Sequence, residues 1–250
     1  MTTSAPHAPH AAPGSSPRVL VATAVPAERD AVARTLTTGG LDTDSLNTHS
    51  LDADVLAVGV GPAAAAAGTA TALARAAADG RPYDLVVSAG IGGGFPPHAP
   101  VGSLVVADEI TVADLGAETP EGFAPVTELG FGAVTHRPPR SLVREAADAC
   151  GAATGTVLTV STVTGSAERA AELRRRHPRA LAEAMEGFGV AEAAALHGLP
   201  VLEIRAVSNP VGPRDRAAWR IGDALAALSD AFGKCAPVLR SWNTHGIPHD

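Results

Sequence analysis

Two glutamates stand near predicted helix starts, at positions where a carboxylate could act on a bound molecule. Glu28 stands about one helical turn after the first strand, where it could serve as a general base toward water. It could equally be a first-turn residue that stabilises a helix through the helix dipole. Glu186 follows Met185 at the start of a helix of small residues, where its oxygens could accept from a sugar diol. A surface glutamate on an amphipathic helix is the alternative there.

An asparagine ends a strongly apolar strand, in the segment 207–210 (VSNP). The Asn209 amide offers two donors and an acceptor, which suits a purine edge where a ring nitrogen stands beside a carbonyl group. A turn asparagine ahead of proline is the alternative. Asp215 follows in the same loop between Arg214 and Arg216, where an ion-paired helix cap would explain it.

Two glycine-rich segments follow other predicted strands. The segment 59–64 (GVGPAA) fits the loose form of a dinucleotide-binding fingerprint, although Pro62 removes a backbone N–H near the turn. The segment 88–94 (SAGIGGG) closes a strand with enough glycine for the backbone to approach a ligand closely. Neither segment contains an arginine, the residue that usually clamps a phosphate. Bare loop geometry is the alternative for the first segment.

Strands and helices alternate along most of the chain, and this order must bring the candidate residues together. The pattern predicts a mostly parallel sheet between helices, and ligands in such folds collect at the carboxyl ends of the strands. Strands are predicted over residues 18–24, 45–51, 54–59, 84–89, 101–111, 156–161 and 200–208. Helices are predicted from residue 26 and over residues 62–79, 139–150, 167–176, 185–197 and 216–239.

Composition narrows the class of protein. The 250 residues are 46% hydrophobic but only 3% aromatic, so Ala, Val and Leu must build most of a core. A formal charge of −7 makes the chain a poor candidate for binding nucleic acid or an anionic membrane surface. The two cysteines, Cys150 and Cys235, cannot form a disulfide scaffold or a four-thiolate metal site. We expect no metal site.

The chain is expected to form one domain with a tail at each end. We expect a disordered tail over residues 1–17, a single domain over residues 18–240 and a flexible tail over residues 241–250. The first tail lacks the apolar centre of a signal peptide, and no apolar run reaches the length of a membrane span. A cytoplasmic location is therefore expected.

Taken in order, these loops resemble those of the nucleoside phosphorylase and nucleosidase superfamily, and most closely those of its futalosine hydrolase branch. The resemblance spans about residues 18–239. It is carried by the segments 24–28 (AVPAE), 59–62 (GVGP), 88–94 (SAGIGGG), 185–186 (ME) and 206–209 (AVSN). The branch assignment depends on the segments 208–215 (SNPVGPRD) and 162–165 (TVTG). The resemblance implies an α/β three-layer sandwich, in which helices flank a mixed, mostly parallel central sheet.

The resemblance also implies a reaction. In this branch futalosine is hydrolysed to hypoxanthine and dehypoxanthinyl futalosine, on the alternative route to menaquinone, without a metal or an organic cofactor. Glu28 matches the glutamate that positions and deprotonates the attacking water, and Met185 with Glu186 matches the ribose pair. Asn209 and Asp215 are the candidates at the leaving base. The other expected substrate contacts are Ser88, Ala89, Gly90, Val163, Thr164, Gly165 and Phe188.

Three positions depart from the family pattern. Adenine-specific nucleosidases carry aspartate where Asn209 stands; an amide can bond N7 and a 6-oxo group together, which selects hypoxanthine. It cannot release a proton to N7, so Asp215 or a water is expected to do so. Arginines that hold phosphate are absent from both glycine-rich segments, which favours water as the nucleophile. No aromatic residue stands in 161–165 to stack on the base, so Phe188 or Phe95 is expected to supply apolar surface.

Two other functions stay open. A purine nucleoside phosphorylase of the same fold would require phosphate. A nucleoside- or dinucleotide-binding domain would use residues 59–64 and leave Glu28 and Glu186 without a task. The expected partners are a small-molecule nucleoside and further copies of the chain, in a homodimer or higher homo-oligomer, with neither nucleic acid nor a membrane.

Overall fold

The computed structural model describes residues 16–38 and 51–242. The strands are β1 (Val19–Thr23), β2 (Ala53–Ala57), β3 (Leu85–Gly94), β4 (Leu104–Val112), β5 (Gly116–Thr119), β6 (Gly122–Pro125), β7 (Thr135–His136), β8 (Ala153–Thr159), β9 (Ala180–Ala184) and β10 (Val201–Pro210). The helices are α1 (Pro26–Thr38), α2 (Pro62–Ala78), α3 (Arg140–Cys150), α4 (Ala167–Arg176), α5 (Gly187–Leu196) and α6 (Ile221–Ser241), with a short 3-10 helix (Arg216–Ala218) before α6.

The central sheet closes on itself. Strand β10 pairs in parallel with β3 and antiparallel with β4; β4 and β8, then β8 and β9, pair in parallel, and β9 returns antiparallel to β3. On the edge of β3 opposite β10, β1 pairs with the first residues of β3 and β9 with its last two. Strand β2 extends the sheet beyond β1. The prediction of a mixed, mostly parallel sheet with helices around it is confirmed. The three-layer sandwich is corrected to a barrel-like closed sheet, because β3 pairs with strands that a flat sheet would keep apart.

The glycine run of β3 makes this closure possible. The sequence places residues 90–94 in a loop, whereas the structure continues the strand to Gly94. A Cβ atom at Gly92 would lie 2.8 Å from the Glu183 carbonyl oxygen, and one at Gly94 would lie 2.1 Å from the Ala99 carbonyl oxygen. The backbones therefore approach at distances that only glycine permits, which lets β3 contact β9 and β10 together.

Five of the six described helices cover the sheet in two groups, each over its own core, while α4 contributes Leu173 to a smaller third core. Helices α1, α3 and α6 pack together over a cluster of Val, Leu, Ile and Phe side chains that includes Phe232. Helices α2 and α5 cover a second cluster that includes Phe188. Helix α5 is rich in Gly and Ala, and its close approach to α2 is explained at Gly189, whose Cβ would lie 2.1 Å from the Pro62 carbonyl oxygen. Such small residues let two helices pack closely.

Most predicted helices are found within a few residues of their expected bounds, and the differences have local causes. The helix expected from residue 185 begins at Gly187, because Met185 and Glu186 form a bend after β9, a strand that the sequence does not predict. The helix expected over 216–239 is divided by Trp219 and Arg220 and then runs from Ile221 to Ser241. Almost all of the strand expected over 45–51, and of both tails, lies outside the described residues. In the described ranges, no helix combines the length and apolarity needed to cross a membrane.

Candidate active site

A cavity of about 200 Å³ opens at the carboxyl ends of β1, β3, β9 and β10. The parallel strands β1, β3 and β10 bring their carboxyl ends to one edge of the sheet, and β9 pairs antiparallel with the last residues of β3, so residues distant in sequence meet here. Six of the residues expected to contact substrate or to take part in catalysis line this cavity: Glu28, Val163, Thr164, Met185, Glu186 and Asn209.

Glu28 projects from the first turn of α1 and is only 4% exposed. Its Oε2 accepts a hydrogen bond from the Ala24 N–H at 2.9 Å and a longer one from the Val25 N–H at 3.4 Å. Its Oε1 accepts from the Ile91 N–H of β3 at 2.9 Å. Backbone donors from two elements thus fix this carboxylate at the cavity wall, and the helix N-terminus favours its negative charge.

Glu186 lies on the other wall, immediately before α5, and is 7% exposed. Its Oε1 accepts from the Gly61 N–H at 3.2 Å and its Oε2 accepts from the Met185 N–H at 3.3 Å. Gly61 has a φ of +89°, a conformation that favours glycine. The fingerprint-like segment therefore directs one of its amides at Glu186, which gives that segment a role without a dinucleotide.

Arg205 lies behind these two carboxylates and is 1% exposed. Its Nη2 donates to the Ser88 Oγ at 3.0 Å, and its Nη1 lies 3.5 Å from the Glu186 Oε2 without a hydrogen-bond partner among the described residues. A Cβ at Gly90 would lie 2.5 Å from this Nη1 and 2.6 Å from the Glu28 Oε1. Behind the cavity wall, Gly90 thus leaves room for Arg205 and Glu28, and the Ser88 hydroxyl binds the guanidinium. No sequence pattern singles out Arg205, although it interrupts the apolar run of β10 between Ile204 and Ala206.

Glu183 is a third carboxylate at the cavity, and no sequence pattern predicts its place there. It lies on β9 and is 4% exposed, and it accepts hydrogen bonds from the Thr164 N–H, at 2.8 Å, and from the Thr164 hydroxyl. Burial raises the pKa of the Glu183 carboxyl, while the two Thr164 hydrogen bonds oppose that shift. These bonds fix the segment that carries Val163 and Thr164 against the cavity.

Asn209 occupies the end of β10 rather than a turn, opposite Gly93 in the β-ladder. Its Oδ1 accepts from the Ser208 hydroxyl at 2.8 Å, and its Nδ2 donates to the Pro210 carbonyl at 3.0 Å. A Cβ at Gly93 would lie 3.3 Å from Nδ2, so glycine leaves room for this amide. Its neighbours therefore hold the Asn209 amide at the cavity wall.

The aromatic residue at the cavity is Trp219, ten residues after Asn209. It follows the short 3-10 helix, and the Arg214 guanidinium lies 5.4 Å from the centre of its ring. Asp215 lines a small neighbouring pocket with Trp219 and caps the 3-10 helix by accepting from the Ala217 N–H at 3.1 Å. A tryptophan in a polar loop has no local periodicity to mark it, so the sequence gives little sign of its position.

The remaining predicted contacts lie off the cavity wall. Phe188 is buried against the His136 ring at 5.3 Å between ring centres, and Phe95 is buried in a core cluster with Leu158. Ser88, Ala89, Gly90 and Gly165 are not part of the wall either. Phe188 and Phe95 are therefore not in a position to face the base, whereas Trp219 is.

The charged side chains at the cavity wall are all acidic among the described residues: Glu28, Glu183 and Glu186. No Lys or Arg lines it in that part of the chain; Arg29, the nearest in sequence to Glu28, pairs with Asp30 at 2.8 Å. Over the same residues, no group of three or more His, Cys, Asp or Glu side chains is arranged to hold a metal ion. Chemically, the cavity is suited to a neutral polyhydroxylated ligand that develops positive charge.

Comparisons with known proteins agree on family and fold. The phosphorylase superfamily matches residues 19–240. A futalosine hydrolase of Streptomyces coelicolor is 72% identical over 91% of this chain and 98% of its own length. A second futalosine hydrolase, of Acidothermus cellulolyticus, is 47% identical over 91% of this chain and 92% of its own length.

Solved structures of lower identity share the fold. A 5′-methylthioadenosine/S-adenosylhomocysteine nucleosidase of Neisseria meningitidis, in complex with methylthio-immucillin-A, is 20% identical with a TM-score of 0.69, over 87% of this chain and 97% of its own. A futalosine hydrolase of Helicobacter pylori is 18% identical with a TM-score of 0.68, over 90% of this chain and 97% of its own. At these identities the likeness is one of architecture.

Proposed function

The chain belongs to the phosphorylase superfamily and, within it, to the futalosine hydrolases, and from this premise we propose that it hydrolyses the N-glycosidic bond of futalosine. The products are hypoxanthine and dehypoxanthinyl futalosine, an intermediate on the futalosine route to menaquinone. The observation that carries this proposal is the 72% identity to a futalosine hydrolase over nearly the full length of both chains. The acidic cavity supports it with suitable chemistry.

Glu28 is proposed to handle the water. In this role its carboxylate accepts a proton as the water oxygen bonds to the anomeric carbon and the bond from that carbon to the purine nitrogen breaks. The three hydrogen bonds from backbone amides hold the Glu28 carboxylate in one orientation, so little reorganisation is needed during the reaction. The unpartnered Nη1 of Arg205 supplies a donor toward the same space.

Glu186 and Met185 are proposed to bind the ribose. A carboxylate with one bond from Gly61 and one from Met185 retains lone pairs for the 2′ and 3′ hydroxyls. The transition state of glycosidic cleavage carries positive charge on the sugar ring. The two carboxylates, Glu28 and Glu186, supply fixed negative charge beside it.

Asn209 is proposed to read the base. Its Nδ2 donates one hydrogen to the Pro210 carbonyl, and the other hydrogen can be shared between N7 and the 6-oxo group of hypoxanthine. The ring of Trp219 offers an apolar face for stacking. Asp215 lies outside the cavity and is occupied as a helix cap. A water molecule is therefore the better candidate of the two for the proton that the departing base requires.

Water is proposed as the nucleophile rather than phosphate. A phosphorylase needs cations to hold a dianion, and the described wall of this cavity carries three carboxylates and no Lys or Arg. The Glu28 and Glu186 carboxylates would repel phosphate from the position opposite the leaving base, and the Arg205 guanidinium behind them is already paired with Glu203 and Glu186. The same charges do not repel a neutral water.

The setting of the enzyme is part of the proposal. We propose that it acts in the cytoplasm and as a homodimer or higher homo-oligomer. Val60 lines the cavity and is 56% exposed, so a second subunit beside the site would cover an apolar residue that now faces solvent. Light scattering coupled to size-exclusion chromatography measures the oligomeric state. A monomer would contradict the proposed homo-oligomer.

The activity is tested by incubating the purified chain with futalosine and with inosine, each with and without phosphate. Free hypoxanthine and a free reducing sugar are expected at the same rate in both buffers, with futalosine preferred. A ribose 1-phosphate-type product, or a requirement for phosphate, would identify a phosphorylase instead. Binding of futalosine without any turnover would identify a binding domain.

A further inference from the structure

A fourth glutamate lies deeper than the three at the cavity. Glu203 is on β10 two residues before Arg205, so both side chains project from the same face of the strand. It is 0% exposed, and its Oε1 accepts from the Arg205 Nε at 2.8 Å. Its Oε2 has no hydrogen-bond partner among the described residues. Burial raises the pKa of the Glu203 carboxyl, and the nearby Arg205 charge opposes that shift.

The surrounding backbone leaves space for this carboxylate. A Cβ at Gly187 would lie 2.3 Å from both Glu203 oxygens. Gly187 directly follows Glu186, so the turn that presents Glu186 to the cavity also makes room for Glu203 behind it. The acid is thus accommodated by an absent side chain, and it is not directed toward solvent.

Glu203 also decides how Arg205 is oriented. The guanidinium is planar, and two of its nitrogens are already held: Nε by Glu203 and Nη2 by the Ser88 hydroxyl at 3.0 Å. With these two donors fixed, the plane cannot rotate, and Nη1 is aimed between Glu28 and Glu186. Loss of the bond at Nε would free the plane to turn about the Ser88 contact.

Stability does not explain a carboxylate at this place. Burying a charge is costly, and an apolar residue of similar size in place of a buried ion pair is often no less stable. A carboxylate here is therefore better explained by what it does for Arg205.

We propose that Glu203 is a positioning residue for hydrolysis, holding Arg205 so that its Nη1 faces the space between Glu28 and Glu186. The inference rests on the proposed function, because that space is where the attacking water would stand. Misplacing a group by about 1 Å in such a site can cost up to about a hundredfold in rate. The bond that matters is the one accepted from Nε, so the acceptor rather than the negative charge is required.

Three variants separate this role from a structural one. Glu203→Leu removes the acceptor, Glu203→Asp withdraws it by one methylene, and Glu203→Gln keeps an oxygen at the same reach. In the first two, kcat on futalosine is expected to fall about tenfold or more, with KM within about threefold of wild type. Glu203→Gln is expected to stay within about threefold of the wild-type kcat. Leu202→Ala, on the opposite face of β10, is the matched control; it should lower the melting temperature without changing kcat per folded molecule.

The outcomes distinguish the possibilities. A wild-type kcat in folded Glu203→Leu or in Glu203→Asp, with only a lower melting temperature, would overturn the positioning role. Equal impairment of Glu203→Gln and Glu203→Leu would do so too, since the acceptor alone would not then be sufficient. If Glu203→Leu does not fold, the comparison of kcat between Glu203→Asp and Glu203→Gln tests the positioning role instead. A wild-type chain that releases no hypoxanthine from futalosine contradicts the proposed function, and this role with it.

Discussion

Glu28 shows how one residue type can take a specific role through its backbone environment. The sequence offers a carboxylate in the first turn of a helix, which is common. The structure adds donors from Ala24 and Val25 before the helix and from Ile91 on β3. Those donors orient the carboxylate toward the cavity and limit its rotation. A general base requires such a fixed orientation, because it must accept a proton from one direction.

The first prediction concerns Glu28. Replacement by Gln keeps the size and most hydrogen bonds but removes the base, so kcat on futalosine is expected to fall about 10²-fold or more. KM should change little, because the ribose and base contacts remain. Steady-state kinetics on hypoxanthine release gives both values, and near-wild-type turnover would remove Glu28 from the proposed mechanism.

Asn209 carries the second prediction, which concerns base selection. With a 6-oxopurine, the Nδ2 hydrogen that is not donated to Pro210 lies between two acceptors; with a 6-aminopurine, it would face a donor. An unpaired buried polar group costs about 1–3 kcal/mol, which corresponds to roughly a tenfold to hundredfold preference. Asn209→Asp is expected to lower the ratio of kcat/KM for inosine to that for adenosine by at least about tenfold.

The measurement compares futalosine and inosine with adenosine and 5′-methylthioadenosine in the same buffer. Wild type should cleave the first two roughly tenfold to hundredfold more efficiently than the others. Ser208→Ala, which removes only the hydroxyl that donates to the Asn209 Oδ1, is a milder neighbour for comparison. An unchanged 6-oxo to 6-amino ratio in Asn209→Asp would mean that Asn209 only shapes the chain before Pro210.

Among the elements, β3 has the greatest influence on the site. It pairs with β1, β9 and β10, and its glycine run lies where three strands and the Glu28 carboxylate converge. A strand with side chains at these positions could not approach β9 and β10 together. The glycines of β3 thus contribute little side-chain packing, but they allow close backbone contact at the cavity.

Gly94→Ala tests this requirement. The added Cβ would meet the Ala99 carbonyl oxygen at 2.1 Å, and overpacking of this kind typically costs about 1–3 kcal/mol. For a chain of this size each kcal/mol lowers the melting temperature by about 2–4 °C. Gly222→Ala on α6 is the matched control, because no atom lies within 4 Å of its Cβ position. Equal melting temperatures for the two variants would show that the backbone at Gly94 can shift at little cost.

At the scale of the whole molecule, the buried carboxylates affect stability as well as catalysis. Burial raises the pKa of the Glu183 carboxyl above its ordinary value of 4.5. Above that pH the folded protein retains a proton that the unfolded chain has released. The resulting stabilisation is complete below pH 4.5 and is lost as the pH rises through the folded pKa.

The fourth prediction follows from this sign. Glu183→Gln has no such titration, so the free energy of unfolding of wild type minus that of the variant should fall as pH rises from 4.5 to 8. The slope should not exceed about 1.4 kcal/mol per pH unit. Urea unfolding across the pH range measures it. Glu168→Gln is the control, since hydrogen bonds lower the pKa of Glu168 below 4.5; its contribution to stability changes only at lower pH, so its difference from wild type should stay nearly flat over this range. Parallel curves for wild type and Glu183→Gln would contradict the prediction.

Much of this protein could be read from local sequence. The apolar run of β1, the alanine-rich α2 and the position of Pro62 predict their elements, because propensity and periodicity act over short distances. Glu28, Glu186 and Asn209 could be singled out because each stands near the start or the end of a predicted element, and the structure places all three at one cavity.

Only the tertiary structure decided the rest, and the reason is that long-range pairing overrides local preference. The segment ALAEA of β9 favours a helix by composition, yet pairing with β3 and β8 makes it a strand. That choice closes the sheet and brings Glu183 to the cavity. The contact of Arg205 with Glu203, and the place of Trp219 at the cavity, likewise arise when distant segments pack together. No periodicity within those segments encodes such contacts.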